Sequence, residues 1–381
     1  MLQHFLDNKP LYYDEIDYTR MPRVYEKIKS HIRLPEIIHI IGTNGKGTTG
    51  RFLASALHAK GFNTGHYTSP HILRFNERIW LNGENASDEM LDAIHKELQA
   101  LLSDEDASAL SYFEYTTFLA MMLYRECDYV VLEAGLGGEY DATAVFAKLL
   151  TLVTPIDIDH EAFLGTDIKQ IATTKLNAMQ KNMILGYQKY EDVYEIACEI
   201  ARDKDAKVSK VSELLTEDDL KNIQEISQDL KLVPYLQENL MLSISALKFI
   251  ELQYSPADFK DAKLFGRLSA IGENILLDVG HNPLAAKSIL KALEGTKYTL
   301  VYNSYKDKNY KEILAILKPI IQSVEIIDVY DARIESKALL QRTLKDLKIE
   351  YSAFEKVNPH ARYLVFGSFS VAEAFLKALD E

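Results

Sequence analysis

An apolar run that ends in a glycine-spaced loop with one lysine constrains this chain more than any other segment. Residues 37–41 read Ile-Ile-His-Ile-Ile, and residues 42–47 read Gly-Thr-Asn-Gly-Lys-Gly. The β-branched run predicts a buried strand, and we expect a helix over about 48–60 with Gly61 as its C-cap. A strand, a glycine-rich loop and a helix N-terminus form a phosphate cradle, because backbone amides, the helix dipole and Lys46 act on the same anion.

The loop departs from the strict phosphate-binding pattern G-x-x-x-x-G-K-[ST] at two positions. With Gly45 and Lys46 as the Gly-Lys pair, the first glycine position is occupied by Ile40. The hydroxyl position is occupied by Gly47, and the first hydroxyl follows at Thr48. The alternative is an ordinary strand–turn–helix junction with a chance lysine. Because a strand and a helix flank the loop, we favour the phosphate cradle.

Composition and charge exclude several classes of protein. The 381 residues are 47% hydrophobic, enough for the cores of two or three domains, and carry a net charge of −13 without a basic block. A broad nucleic-acid or anionic-membrane surface is therefore not expected. Cys127 and Cys198 stand far apart, which is neither a disulfide framework nor a zinc pattern. With no signal peptide and no apolar stretch of ~18 residues, we expect a cytoplasmic protein, and we expect a monomer.

Strand-like runs alternate with helical stretches, which favours parallel sheets with helices on both faces. The strand-like runs lie at 37–41, 63–67, 128–134, 149–156, 274–279, 298–303, 324–329 and 362–366. The helical stretches include 87–102, 114–126, 167–180, 189–203, 284–294 and much of 185–254. The predicted fold class is α/β. A P-loop nucleotide-binding domain with a mostly parallel sheet is expected over residues 1–260, and a smaller Rossmann-like α/β domain over residues 261–381.

Polar residues follow several of these runs, where the carboxyl ends of parallel strands form the ligand crevice of an open sheet. Glu133 lies in the run 128–134 and precedes a glycine cluster, so it is a candidate Mg²⁺ ligand. A capped strand end with an exposed glutamate is the alternative. His160 follows the run 149–156 and is either a metal ligand or a structural histidine. Lys175, taken alone, is typical of a surface lysine.

Two further segments carry clustered polar side chains. Residues 68–78 read Thr-Ser-Pro-His-Ile-Leu-Arg-Phe-Asn-Glu-Arg, a mixture that suits recognition of an anion and a ring. Residues 278–283 read Asp-Val-Gly-His-Asn-Pro and follow a strand of the second predicted domain. Polar loops at the strand ends of two sheets predict an active site in a cleft between domains.

Together these segments resemble the folylpolyglutamate synthase/dihydrofolate synthase family, within the Mur-ligase-like ATP-dependent amide ligases. The glycine after the loop lysine and the Ser-Pro-His…Arg-Phe-Asn-Glu-Arg stretch are typical of the folate branch. The matching stretches run in the family order at 42–48, 68–78, 137–143, 159–165, 175 and 278–283. The fine substrate preference stays open, because the family patterns are not matched at Phe265, Ser269, Thr174, Ala144, Val279 and Gly280.

The resemblance implies a role for each matched position. The implied ATP-binding residues are Asn44, Gly45, Lys46, Gly47, Thr48, Asn239, Arg267, Asp278 and His281. The implied ligands of Mg²⁺ are Ser69, Glu133 and His160. The implied catalytic residues are Lys46, His160 and a carbamylated Lys175. The implied substrate-binding residues are Arg74, Phe75, Asp141 and Thr143.

The activity that the resemblance implies is ATP-dependent ligation of L-glutamate to 7,8-dihydropteroate, to reduced folates, or to both, in folate biosynthesis. ATP and Mg²⁺ are the implied cofactors, and these small molecules are the implied partners, with no nucleic acid and no membrane. An enzyme with only one of the two activities is an alternative. A Mur-type cell-wall ligase is disfavoured, because only 36 residues precede the loop strand, too few for its sugar-nucleotide domain. A regulatory nucleotide switch would need neither Lys175 nor the Asp278 and His281 cluster.

Overall fold

The computed structural model describes residues 1–9, 17–159 and 161–380, and it divides into two compact units. The first unit comprises Met1–Leu232 and Leu236–Lys263, and the second comprises Val233–Tyr235 and Leu264–Glu381. The division between Lys263 and Leu264 lies close to the boundary that we predict at 260/261. The structure also assigns Val233 and the first two residues of the helix that follows it to the second unit, which the sequence does not indicate.

The first unit is built on one eight-stranded sheet with the order β4-β3-β2-β5-β1-β6-β7-β8. Pairs that include β3 are antiparallel, and the other neighbours are parallel. The strands are β1 (Glu36–Ile41), β2 (Thr64–Tyr67), β3 (Ile79–Leu81), β4 (Glu84–Asn85), β5 (Tyr129–Glu133), β6 (Leu150–Val153), β7 (Asn182–Leu185) and β8 (Lys207–Lys210). The strand that leads into the glycine loop, β1, therefore lies between β5 and β6.

Helices cover both faces of this sheet, and β1 is buried on both sides. Ile38 and Ile40 pack into one hydrophobic core, whereas Ile37 and Ile41 belong to two cores on the opposite face. The helices of this part are α1 (Leu2–Asp7), α2 (Arg20–Ile28), α3 (Lys46–Ala59), α4 (Asp88–Leu101), α5 (Asp104–Ala109), α6 (Tyr112–Leu123), α7 (Glu161–Leu164), α8 (Ile168–Leu176), α9 (Glu191–Asp203), α10 (Val211–Leu214), α11 (Glu217–Asp229) and α12 (Pro234–Phe249).

The second unit carries a six-stranded sheet with the order β13-β12-β11-β14-β10-β9. Only the edge strand β9 runs antiparallel to its neighbour. The strands are β9 (Ser269–Ile271), β10 (Ile275–Leu277), β11 (Tyr298–Tyr302), β12 (Ile321–Ile326), β13 (Tyr351–Ala353) and β14 (Tyr363–Phe366). The helices are α13 (Pro283–Leu293), α14 (Tyr310–Leu317), α15 (Lys337–Asp346) and α16 (Phe369–Asp380).

The predicted α/β class, with a mostly parallel sheet and a second sheet, is confirmed. Element ends differ from prediction where local geometry decides them. The helix after the loop begins at Lys46 rather than at 48, because Gly45 adopts a left-handed conformation (φ 90°) and serves as its N-cap. The predicted bounds 324–329 are wrong by three residues, since the strand observed there, β12, pairs with β11 from Ile321 to Ile326. None of the helices in the described ranges has the length and apolar character that a membrane crossing requires.

Candidate active site

The loop after β1 has glycines at two positions where another segment of the chain lies very close to its backbone. Gly42 has φ 140°, and a Cβ there would overlap the side chain of Thr154 just after β6. Gly45 has φ 90°, and a Cβ there would overlap the Asn239 amide on α12. Other residues would therefore be strained at both positions and would clash with a neighbour. The second contact brings Asn239, a predicted ATP-binding residue, against the loop.

The N-terminus of α3 has the features of an anion site. The first bond of the helix runs from Thr49 N to Gly45 O at 2.9 Å, so helix geometry directs the amides of Lys46, Gly47 and Thr48 out of its end. Thr48 Oγ1 is buried and has no hydrogen-bond partner among the residues that the structure describes. A buried hydroxyl at this place suits a phosphate oxygen or a metal ion as its partner.

Lys46 and Glu133 face each other across the carboxyl ends of β1 and β5. The Lys46 Nζ lies 3.9 Å from Glu133 Oε1, and it also lies 3.4 Å from the carbonyl oxygens of Gly42 and Thr43. Glu133 is 4% exposed, so the alternative of an exposed strand-end glutamate is wrong. The buried carboxylate and the lysine form a compact charged pair beside the loop.

The loop after β2 holds the second oxygen of this carboxylate. Glu133 Oε2 accepts hydrogen bonds from the Thr68 hydroxyl and from Ser69 N, the latter at 3.2 Å. The structure thus brings together two of the three predicted Mg²⁺ ligands, Ser69 and Glu133. The third, His160, lies outside the described residues. Within the described ranges, no group of three or more His, Cys, Asp or Glu side chains is placed to hold a metal ion.

Lys175 is a buried amine at the same edge of the sheet, not a surface residue. Its Nζ donates a hydrogen bond to the carbonyl oxygen of Gly42 at 3.0 Å, and the residue is 4% exposed. Burial, reinforced by the charge of Lys46, lowers the pKa of Lys175 from 10.5 to about 7, while Asp159 and Asp141 oppose the shift. Two lysines therefore approach one carbonyl group, and one of them readily loses its proton.

The glycine turn after β5 packs against Lys175. A Cβ on Gly138 would overlap the backbone of Lys175, and Glu139 N donates to Thr174 O at 3.0 Å. Asp141 organises this turn from within: Oδ1 accepts from Thr143 N at 2.9 Å, and Oδ2 accepts from Leu136 N at 2.9 Å. Burial raises the pKa of Asp141, although these hydrogen bonds oppose the shift. Substrate contact by Asp141 and Thr143 remains a prediction.

Arg74 and Phe75, predicted to bind substrate, line a cavity of about 490 Å³. Glu77 shapes the segment by accepting hydrogen bonds from the backbone amides of residues 72–74 at 2.7–2.9 Å. Phe75 is buried and packs into a hydrophobic core, whereas Arg74 is exposed and pairs with Asp88 at 2.8 Å. Arg74 is therefore the member of the pair with a polar group available at the surface.

The remaining predicted ATP-binding residues lie in the second unit. Arg267 precedes β9, whereas Asp278 and His281 follow β10. Asp278 Oδ2 accepts from Leu268 N and from the Tyr235 hydroxyl, both at 2.9 Å. His281 donates from Nδ1 to the carbonyl oxygen of Val279 at 3.2 Å. The guanidinium carbon of Arg267 lies 5.4 Å from the centroid of the Phe369 ring. These contacts fix the three side chains within the second unit.

Comparison with known proteins gives the family. No family model matches the chain. The dihydrofolate synthase/folylpolyglutamate synthase of Haemophilus influenzae is 30% identical over 375 residues, which cover 87% of this chain and 83% of the relative. This chain belongs to the dihydrofolate synthase/folylpolyglutamate synthase family.

Solved structures of this family share the fold. The crystal structure of Helicobacter pylori folylpolyglutamate synthetase matches with a TM-score of 0.81 and 38% identity, and the match covers 100% of this chain and 98% of that one. Escherichia coli FolC, in complex with DHPP and ADP, matches with a TM-score of 0.83 and 26% identity, over 100% and 97% of the two chains. The resemblance predicted from the motifs is confirmed at the level of family and fold.

Two residues that the sequence does not single out contact predicted site residues. Thr68 directly precedes Ser69, a predicted metal ligand, and its hydroxyl donates a hydrogen bond to Glu133. The mixed polar composition of residues 68–78 does not indicate this contact. His39 lies within the apolar run of β1, and its Nε2 is 2.8 Å from Thr143 Oγ1. The one sequence feature that marks His39 is its position as a polar residue in the middle of a run of isoleucines.

Proposed function

We propose that this family member is an ATP-dependent acid–amino-acid ligase that joins L-glutamate to 7,8-dihydropteroate and to reduced folates. The observation that carries the proposal is the meeting of Lys46, Glu133 and Lys175 at the glycine loop. Membership of the family supports the reaction class, and the related Escherichia coli FolC in complex with DHPP and ADP supports a nucleotide and a pterin-type ligand.

The glycine loop would hold the ATP phosphates. The backbone amides of residues 44–48 and the charge of Lys46 suit the β- and γ-phosphates, because the end of α3 adds its positive dipole. We assign Asn239 to the same nucleotide, since it already contacts the loop at Gly45. Arg267, Asp278 and His281 are the residues that we propose for ATP contact from the second unit.

The residues beside the loop fit a magnesium ion. Glu133 offers a buried carboxylate, and Ser69, which carries a hydroxyl, donates its backbone N–H to that carboxylate. The Thr48 hydroxyl is buried without a partner among the described residues. Mg²⁺ commonly takes one or two carboxylates and completes its shell with water and phosphate oxygens, so a small protein ligand set is sufficient. When bound, the ion supplies positive charge that neutralises the phosphates. His160 is proposed as a further ligand.

The ligation follows from two displacement steps. A carboxylate oxygen of the acceptor attacks the γ-phosphorus of ATP, the bond to the bridging oxygen breaks, and ADP leaves. The α-amine of glutamate then attacks the acyl carbon, phosphate departs, and the amine loses a proton. In this proposal Lys46 stabilises negative charge on the transferred phosphoryl group, largely by position and electrostatics. The exposed guanidinium of Arg74 is suited to hold a substrate carboxylate.

Lys175 is proposed to act as a carbamate. A lysine with a pKa of about 7 presents a substantial neutral fraction at neutral pH, and the neutral amine attacks CO₂. A nitrogen–carbon bond forms, a proton is released, and the product is an anion. This change replaces repulsion between Lys175 and Lys46 with attraction. An unmodified Lys175 in an active, Mg²⁺-loaded crystal, seen by density or mass, would contradict the assignment.

We propose that residues 1–260 form the ATP-binding domain and that residues 261–381 form the C-terminal ligase domain. We also infer that the protein is a cytoplasmic monomer that acts on small molecules. A monofunctional dihydrofolate synthase and a monofunctional folylpolyglutamate synthase use the same chemistry, because both acceptors present a carboxylate. The test is phosphate release from ATP with 7,8-dihydropteroate and with tetrahydrofolate, each with and without L-glutamate. Turnover with only one acceptor would select a monofunctional enzyme, and no glutamate-dependent turnover would refute the proposal.

A further inference from the structure

His39 is a polar side chain that the proposed reaction does not use. It lies in the middle of β1 and is 0% exposed. Its Nε2 is 2.8 Å from Thr143 Oγ1, whereas its Nδ1 is buried without a hydrogen-bond partner among the described residues. An isoleucine or a valine would fill this position in a buried parallel strand at a lower desolvation cost, so the imidazole requires an explanation.

The direction of the hydrogen bond between His39 and Thr143 follows from the atoms around it. The Thr143 hydroxyl has one hydrogen, and Thr143 Oγ1 lies 2.5 Å from Asp141 Oδ1. Both Asp141 oxygens act as acceptors, because Oδ1 also accepts from Thr143 N and Oδ2 accepts from Leu136 N. The hydroxyl therefore donates to Asp141 and accepts from His39. Burial and the charge of Lys148 lower the pKa of His39 well below its ordinary value, so the neutral ring carries a single N–H. That hydrogen is on Nε2.

This donor chain ends in the turn that packs against the buried lysine. Asp141 uses its second oxygen to accept from Leu136 N at 2.9 Å, which ties the two ends of the turn together. The same turn contacts α8 through Glu139 N and the Thr174 carbonyl at 3.0 Å. Hydrogen bonds thus connect the centre of β1, through Thr143 and Asp141, to the turn after β5. A separate bond from Glu139 joins that turn to α8 next to Lys175.

We infer that His39 is a positioning residue for the acceptor substrate: by donating from Nε2 to Thr143, it fixes Thr143 and Asp141 and so holds the turn over residues 135–143 in its binding conformation. This inference rests on the proposed function and on the prediction that Asp141 and Thr143 contact the acceptor. The ATP phosphates are proposed to bind at the glycine loop instead. Loss of the donor should therefore weaken the acceptor's binding and leave that of ATP unchanged.

Three substitutions separate a donor from a space-filling side chain. His39→Gln places an amide N–H near the position of Nε2, His39→Asn places it near the position of Nδ1, and His39→Met fills the space with no donor. We expect KM for 7,8-dihydropteroate to rise about five- to tenfold in the Asn and Met variants, the effect of one lost neutral hydrogen bond. The Gln variant should stay within about twofold of the wild type, and KM for ATP should be constant throughout.

An unaltered acceptor KM in His39→Met, or an equal rise in His39→Gln and His39→Met, would overturn the inference. The tautomer gives a readout that does not depend on activity. In protein labelled with ¹⁵N-histidine, the His39 resonances are those that His39→Gln lacks, and we expect Nε2 to be protonated and Nδ1 not. A ring protonated on Nδ1 would overturn the inference. A wild type that shows the expected tautomer but no glutamate-dependent turnover would refute the proposed function alone.

Discussion

Replacement of Lys175 by methionine should stabilise the protein at neutral pH and inactivate it. The folded protein binds the Lys175 proton less tightly than the unfolded chain, since burial lowers the pKa from 10.5 to about 7. The two values differ by about 3.5, which corresponds to a destabilisation of ~5 kcal/mol wherever the lysine is protonated in both states. The full penalty is present below about pH 7, and it disappears as the pH approaches 10.5.

The pH dependence of this penalty is the sharper part of the prediction. Between about pH 7 and pH 10.5 the unfolded chain holds more protons at this site than the folded protein, so wild-type stability rises with pH. Integration over the range from pH ~7 to pH ~9 gives a gain of about 2 kcal/mol for the wild type relative to Lys175→Met. The stability advantage of the variant should shrink by that amount.

Urea unfolding measures the difference in stability between Lys175→Met and the wild type at pH ~7 and at pH ~9. The protein should be free of nucleotide and metal, and the buffer free of CO₂. Lys169→Met is the matched control, because Lys169 lies on the same helix with 62% of its side chain exposed and is paired with Asp192. Its stability difference from the wild type should be constant over this range. An advantage of Lys175→Met that does not change between pH ~7 and pH ~9 would refute a buried lysine with a lowered pKa.

Three further substitutions test the glycine loop. Lys46→Met should lower kcat by about a thousandfold or more while the protein stays folded, because the transferred phosphoryl charge loses its cation; near-normal turnover would contradict the phosphate cradle. Gly45→Ala should lower the free energy of unfolding by more than about 1 kcal/mol, since φ is 90° and Asn239 occupies the space of the new Cβ. An unchanged urea midpoint would contradict this requirement for glycine. Thr48→Val should leave stability unchanged, because the hydroxyl has no partner among the described residues, but should reduce kcat/KM for ATP at least tenfold; unimpaired kcat/KM would remove Thr48 from the site.

The sequence predicts those parts of the site that depend on local pattern. The run 37–41 and the glycines of 42–47 dictate a strand and a turn, and the carboxyl end of the next parallel strand delivers Glu133 to the same edge. Contacts between residues distant in sequence are not predictable in this way. Asn239 contacts Gly45 across almost two hundred residues, and no local pattern marks an asparagine within a helix as a neighbour of the loop.

Burial is the second property that sequence reasoning could not supply. Lys175 is typical of a surface lysine by its helical surroundings, yet it is 4% exposed because the glycine turn lies directly against it. In the sequence, His39 is one residue of an apolar run, and only its hydrogen bond with Thr143 in the structure identifies it as a donor. Both features depend on which segment packs over a strand, and that is fixed by the tertiary arrangement.

The central claim is that the site at the glycine loop drives glutamate ligation with ATP. The most direct measurement is the stoichiometry of phosphate release and glutamate incorporation with 7,8-dihydropteroate, Mg²⁺ and ATP, followed by mass spectrometry of the product. We predict one glutamate added for each phosphate released in the wild type, and neither event in Lys46→Met. Phosphate release that does not depend on glutamate, or a folded wild type that adds no glutamate to dihydropteroate or to tetrahydrofolate, would contradict the claim.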